Sequence, residues 1–260
     1  MRAALIVAGF LVLILYLYAQ LVRRTSMFFP SRYPEGEWKT TAEDVQFTTS
    51  DGVRLHGWLY RAGEPLLIWF HGNAGNITER GPTAAELARR GVSVLLFDWR
   101  GYGKSEGSPS ESGLFRDAIA AYDFARSQTK LDIVPYGESL GGPYAAYVAA
   151  HRKVRCVIIE NSFASLGAMG NALYRPFPMG IFVPFVLTTT RWLNQAGVPV
   201  LVMHGKCDRV IPIEVGMQLY NSLRVPKELL VSEAAGHCEL ATAEPQRYYE
   251  TVTRFVRARQ

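Results

Sequence analysis

The stretch VPYGESLGGPYAAYVAAH, residues 134–151, runs from an apolar segment through a knot of glycines into an alanine-rich one, with Ser139 at the centre of G-x-S-x-G. A nucleophilic serine needs this setting. It sits on a sharp strand-to-helix turn, its backbone is strained, and only small neighbours let adjacent elements pass. Gly141, Gly142 and Pro143 fall in the first helical turn, where the amide that proline lacks has no intrahelical partner anyway. The string alone decides little, because the chain contains it twice. The second copy, GKSEG at 103–107, is followed by SPSESG, a loop composition, and the preceding apolar run ends well before it. Nor is that copy a phosphate-binding loop, since the first glycine of G-x-x-x-x-G-K-S falls on Asp98. Ser139 is the candidate nucleophile, against the plainer reading of a serine that caps a helix.

Around it, β-rich and helix-periodic segments alternate. DVQFTT (44–49) and VRLHGWLY (53–60) flank Ser50-Asp51-Gly52, a hairpin turn. LLIWF (66–70) and VSVLLF (92–97) are apolar almost throughout, as expected of strands covered on both faces. LDIVPY (131–136), VRCVIIE (154–160), VPVLVMH (198–204) and ELLVS (228–232) complete the strands. Helical spacing shows in 78–90, in 112–126, after Ser139, from Pro212 and from Pro245. This order predicts an α/β fold with a mainly parallel central sheet, an N-terminal antiparallel hairpin and helices on both faces.

A serine needs a base and an orienting acid, and on such a fold they follow it in the order acid, then histidine. Asp208 is the only aspartate after Ser139, and His237 the only histidine after Asp208. Both lie just past predicted strand ends, at the edge where catalytic groups gather in an open α/β sheet. His56, His71, His151 and His204 precede Asp208 and read as structural. Glu160, closing the strand VIIE, is the rival acid. The tetrahedral intermediate also needs two converging amides for its oxyanion. Leu140, next after the nucleophile, supplies one. Asn73, in the loop FHGNAGN (70–76), is the choice for the other, against the plainer reading of a glycine-rich connector.

With 260 residues, net charge +5, 48% hydrophobic and 20% charged residues, the chain suits one packed domain and not a disordered one. Its arginines are scattered without a basic run, which argues against nucleic acid as a partner. Three separated cysteines have no zinc-site spacing, so no metal is implied. Ala3–Val22 is uncharged throughout and long enough to cross a bilayer as a single-pass anchor, with Tyr16 and Tyr18 near its far end. A cleaved signal peptide is disfavoured because Leu17-Tyr18-Ala19 is a poor cleavage site. Arg2 and the amino terminus balance Arg23, Arg24 and Arg32, so the positive-inside rule selects neither side. The expected layout is an anchor at 1–24, a linker at 25–39 and the folded domain at 40–260.

FHGNAGN, FDWRGYGKSEG, GESLGG, ENSF, HGKCDRVIP and GHCEL, in that order, resemble the α/β-hydrolase superfamily over residues 40–258. Within it the chain looks most like a membrane-anchored branch of serine-aminopeptidase-like hydrolases related to protein depalmitoylases and monoacylglycerol lipases. The resemblance implies a triad of Ser139, Asp208 and His237, an oxyanion hole of Asn73 and Leu140, and no cofactor. It also implies a structural role for Asp98 and the turn RGYGKSEG. The implied reaction is hydrolysis of esters or thioesters of lipid-like or acyl substrates. The segment at about 161–197 corresponds to a lid, where Phe177, Met179, Phe182 and Phe185 suit an acyl chain; the plainer reading is an ordinary cover on the sheet edge. An aminopeptidase or amidase, with Glu138 or Glu160 receiving a substrate amine, and a catalytically silent membrane scaffold are the alternatives. Cys207 and Cys238 flank the acid and the base, and are expected as two buried thiols and not a disulfide.

Overall fold

The computed structural model describes residues 9–10, 13–14, 27–32, 40–173 and 187–258. Among these the strands are β1 (Phe29–Pro30), β2 (Glu43–Thr48), β3 (Arg54–Tyr60), β4 (Leu66–Phe70), β5 (Ala74–Gly75), β6 (Ser93–Phe97), β7 (Ile133–Glu138), β8 (Val157–Glu160), β9 (Val200–Gly205) and β10 (Lys227–Ser232). The helices are α1 (Gly81–Arg89), α2 (Glu111–Gln128), α3 (Gly141–His151), α4 (Leu166–Leu173), α5 (Thr189–Ala196), α6 (Ile213–Ser222), α7 (Leu240–Ala243) and α8 (Pro245–Arg257). Eight strands form one sheet in the order β10-β9-β8-β7-β4-β6-β3-β2. It is parallel from β6 to β10 and antiparallel at β3–β6 and in the hairpin β2–β3.

The apolar runs explain the layering. Side chains alternate across a strand, so Leu66, Ile68 and Phe70 of β4 join one buried cluster while Leu67 and Trp69 join the other. The first cluster also takes Leu114 and Ala118 of α2, Tyr144 of α3, Leu193 of α5 and Val215 of α6. The second takes Leu87 of α1 and Val252, Phe255 and Val256 of α8. Burying each large apolar side chain contributes about 1.5–3 kcal/mol, so both faces of the central strands hold the sheet between helices.

Some expectations change. The predicted helix 78–90 is a 3₁₀ turn at Ile77–Glu79 followed by α1. The helix after Ser139 starts at Gly141, and β7 continues to Glu138, so the serine occupies the turn itself. Helices α4, α5 and α7 were not foreseen; at eight, eight and four residues they hold too few turns for a periodic pattern. Phe28–Arg32, inside the stretch read as linker, run against the domain, with β1 pairing β5 in parallel. Ala3–Val22 lies almost wholly outside the described residues, and among those no helix is long and apolar enough to cross a membrane.

Candidate active site

Ser139 follows β7 at φ 52°, one of three non-glycine residues with a left-handed backbone among the described residues. The strain is held by its surroundings. Its amide donates to the Glu160 carbonyl (2.9 Å), and its carbonyl accepts from the Gly142 amide (3.0 Å) and Ser162 Oγ (2.7 Å). The glycines are required by proximity: a Cβ on Gly141 would overlap the Phe70 carbonyl, and one on Gly137 would lie 2.5 Å from Gly142 Cα. Ser105, in the other G-x-S-x-G, is wholly buried, accepts the His56 amide (2.9 Å) and donates to the Asp98 carbonyl (2.7 Å). It is a loop fastener.

His237 and Asp208 meet Ser139 from the ends of the next strands. His237 Nε2 lies 3.0 Å from Ser139 Oγ, and His237 Nδ1 lies 2.8 Å from Asp208 Oδ2. The two loops are tied through their backbones: the Lys206 amide donates to the Ser232 carbonyl (2.8 Å), and the Cys207 amide to the Ala235 carbonyl (3.0 Å). Asp208 Oδ1 accepts the Val210 and Ile211 amides, each at 2.8 Å, and Oδ2 also accepts Asn161 Nδ2 (2.5 Å). Burial alone raises the Asp208 carboxyl, but the bonds from His237, Ile211 and Asn161 outweigh it and hold it below the usual range. Asn161 itself is left-handed at φ 47°, which aims its amide at the carboxylate. It escaped the sequence reading; the only signal was its place beside the strand end in ENSF.

His237 Nδ1 is taken by Asp208, and Glu160, the rival acid, pairs instead with the Tyr136 hydroxyl, itself 2.8 Å from Tyr248 Oη. Burial lifts the Glu160 carboxyl to about 8. Glu138, immediately before the serine, behaves oppositely. Burial opposes its charge, but Arg80 outweighs it with bonds of 2.6 and 3.2 Å, joined by Trp69 Nε1 (3.0 Å), and the carboxyl falls to about 2. Arg80 also donates to the Asn76 carbonyl (3.2 Å) and to Glu79 (2.6 Å), fastening the 72–76 loop to the serine turn. A cavity of about 260 Å³ opens beside Ser139 and His237, with Arg80, Glu138, Glu160, Cys238 and Thr242 among its walls.

Asn73 lies in the loop along that cavity and Leu140 begins the turn into α3. Among the described residues, neither amide donates to a protein acceptor. His56, His71, His151 and His204 stand outside the Ser139–His237–Asp208 chain. His71 is wholly buried and pushed down to about 4 by burial and by the Arg80 charge. His204 Nε2 bonds the Ile211 carbonyl (2.8 Å), shaping the loop that carries Asp208. The cysteine expectation holds in part: all three are free thiols, but Cys238 is only half-buried, and Cys207 is exposed and donates to the Glu233 carbonyl (3.4 Å). Phe177, Met179, Phe182 and Phe185 lie outside the described residues. Leu187, within the stretch expected as a lid, is buried in the core. No cluster of metal-ligating side chains occurs among the described residues.

A family model described as the alpha/beta hydrolase fold matches residues 65–179. The uncharacterized protein Rv2307c of Mycobacterium tuberculosis is 30% identical over 263 residues, covering 97% of this chain and 92% of that protein. The chain belongs to the α/β-hydrolase superfamily. Protein bem46 of Schizosaccharomyces pombe is 32% identical over 213 residues, 72% of this chain and 70% of the relative. Among solved structures, the Pyrococcus furiosus esterase Pf2001 superposes with a TM-score of 0.74 over 89% of this chain and 97% of its own, at 23% identity. That likeness is one of fold.

Proposed function

We propose that the chain is a serine hydrolase that cleaves carboxylic esters or thioesters through an acyl-enzyme. The observation that carries this reading is the unbroken chain Ser139 Oγ–His237–Asp208, at 3.0 and 2.8 Å, on a left-handed serine turn. In this mechanism His237 Nε2 takes the Ser139 proton as Oγ attacks the acyl carbon, and returns it to the departing oxygen or sulfur. Asp208 holds the proton on Nδ1 and stabilises the imidazolium. The amides of Asn73 and Leu140, free of protein acceptors, receive the oxyanion. Water, activated by His237, then releases the acid.

Esters are favoured over aminoacyl amides because neither carboxylate that would receive an amine is available. Glu138 is held in an ion pair by Arg80, and Glu160 is protonated at neutral pH. Anchoring through Ala3–Val22 belongs to the same proposal, as does an acyl-binding lid carrying Phe177, Met179, Phe182 and Phe185. Labelling with a fluorophosphonate probe tests the reaction class: wild type reacts and Ser139→Ala does not. Labelling that survives this substitution sinks the assignment.

A further inference from the structure

The oxyanion loop is held from outside the domain's sequence core. Phe29 of β1 donates its amide to the Asn73 carbonyl (2.8 Å), and the Tyr102 hydroxyl donates to the same oxygen (2.7 Å). On the other side of Asn73, the Gly72 carbonyl takes His71 Nδ1 (2.8 Å). The peptides before and after the Asn73 Cα are thus each fixed at their carbonyl, and the Asn73 N–H belongs to the first of them. The Ser31 amide continues the pairing to the Gly75 carbonyl (3.2 Å), where φ is +76° and a side chain is disfavoured. Arg32 Nη1 latches the segment onto the Ser105 carbonyl (2.9 Å) and, more weakly, the Gly103 carbonyl (3.3 Å).

We infer that residues 28–32 are a positioning strap for the oxyanion donor of Asn73. The inference rests on the serine-hydrolase reading above. Phe28 buries its side chain in the core, whereas the two-residue bridge of Phe29 and Pro30 leaves both side chains exposed and adds little burial of its own. Its consequence is geometric, because an oxyanion donor works only when aimed at the charge that develops in the transition state. Losing one such donor costs on the order of 10²–10³ in kcat. Loosening the strap moves the donor without removing it, so a roughly tenfold loss is the expected scale.

The test uses the full chain. Phe29→Pro deletes the amide that pins Asn73, while Phe29→Ala keeps that amide and serves as the conservative rescue. Arg32→Met opens the latch without altering the backbone. For p-nitrophenyl butyrate, Phe29→Pro and Arg32→Met should lose kcat by about tenfold with KM within about threefold, the loss falling on transition-state stabilisation alone. Affinity for a trifluoromethyl ketone analogue should fall in parallel, and Phe29→Ala should restore both. The acidic limb of the pH–rate profile should not move, because His237 and Asp208 are untouched. Folded Phe29→Pro and Arg32→Met proteins with unchanged kcat, or a loss carried by KM with analogue affinity intact, overturn the strap. If wild type neither hydrolyses the ester nor reacts with a fluorophosphonate, the hydrolase reading itself is wrong.

Discussion

Replacing Asp208 by asparagine probes the proposed mechanism more sharply than deleting the side chain. The carboxylate accepts four bonds: Val210 and Ile211 amides at Oδ1, Asn161 Nδ2 and His237 Nδ1 at Oδ2. Asparagine offers one oxygen and one NH₂ in the same outline. If its oxygen keeps the two backbone amides, its NH₂ meets the Asn161 amide and the His237 Nδ1–H, donor against donor. The reverse orientation strands both backbone donors, at about 1–3 kcal/mol each, and they cannot rotate away. The first orientation therefore wins. His237 escapes the clash by moving its proton to Nε2, and in that tautomer it cannot accept the Ser139 proton.

The expected loss in kcat is on the order of 10⁴, the scale known for the same change in a serine protease. That corresponds to roughly 5–6 kcal/mol of barrier. The assay is p-nitrophenyl butyrate turnover on protein shown by circular dichroism to be folded. A loss below tenfold refutes tautomer control by Asp208. A large loss in Glu160→Gln with a small one in Asp208→Asn moves the acid to the end of β8.

Ser105→Ala should lower stability by about 1–3 kcal/mol, because it leaves the His56 amide and Asp98 carbonyl without their hydroxyl. Its kcat should match wild type, and a loss like that of Ser139→Ala would reverse the assignment of the nucleophile. Glu160 keeps its proton to about pH 8 when folded, against an ordinary value of 4.5, so the folded chain binds more protons between these limits and stability falls as pH rises through that window. Glu160→Gln should therefore flatten the melting temperature between pH 5 and 9, whereas an unchanged slope assigns the titration elsewhere. With Ellman's reagent, native protein should release colour first from the exposed Cys207. Burial pushes Cys156 to about 12, so it should react only after unfolding, while Cys238, half-buried on the cavity wall with its thiol held well above the usual value, should react slowly in the native protein.

The order of Ser139, Asp208 and His237 was legible because each lies within a few residues past a strand whose apolar run announces it, and parallel strands bring their C-terminal ends to one edge. The sheet was legible for the same reason: Leu66–Phe70 and Ser93–Phe97 are covered on both faces and read as continuous apolar runs. What escaped was side-chain pairing over long separations. Asn161 reaches Asp208 across 47 residues, and Arg80 reaches Glu138 across 58. No local pattern encodes either contact, because the partners' spacing is set by how the sheet orders its strands. Phe28–Arg32 were misread for a related reason. Phe29 and Pro30 are exposed, so they lack the alternation that marks a strand, and what fixes them is backbone bonding to Asn73 and Gly75.

The charges around the serine form one arrangement. Glu138 and Glu160 are register partners at the ends of β7 and β8, and both border the cavity. Two neighbouring buried carboxyls cannot both ionise near neutral pH unless each has its own cation. Arg80 pairs with Glu138, whereas Glu160 is met by the Tyr136 hydroxyl and the Leu240 backbone, which do not offset its burial, so one carboxyl is compensated by a cation and the other is pushed towards its neutral form. That division matters for an oxyanion forming between Asn73 and Leu140. An uncompensated negative charge on the wall of the same cavity would oppose the oxyanion and raise the barrier. A neutral Glu160 avoids that penalty while Asp208, on the far side of His237, keeps the negative charge where the imidazolium needs it. In the proposed mechanism the same reasoning favours an acid after β9 over one at the end of β8. An ionised Glu160 would stand beside Glu138 on the cavity wall, whereas the Asp208 carboxylate accepts two backbone amides and Asn161.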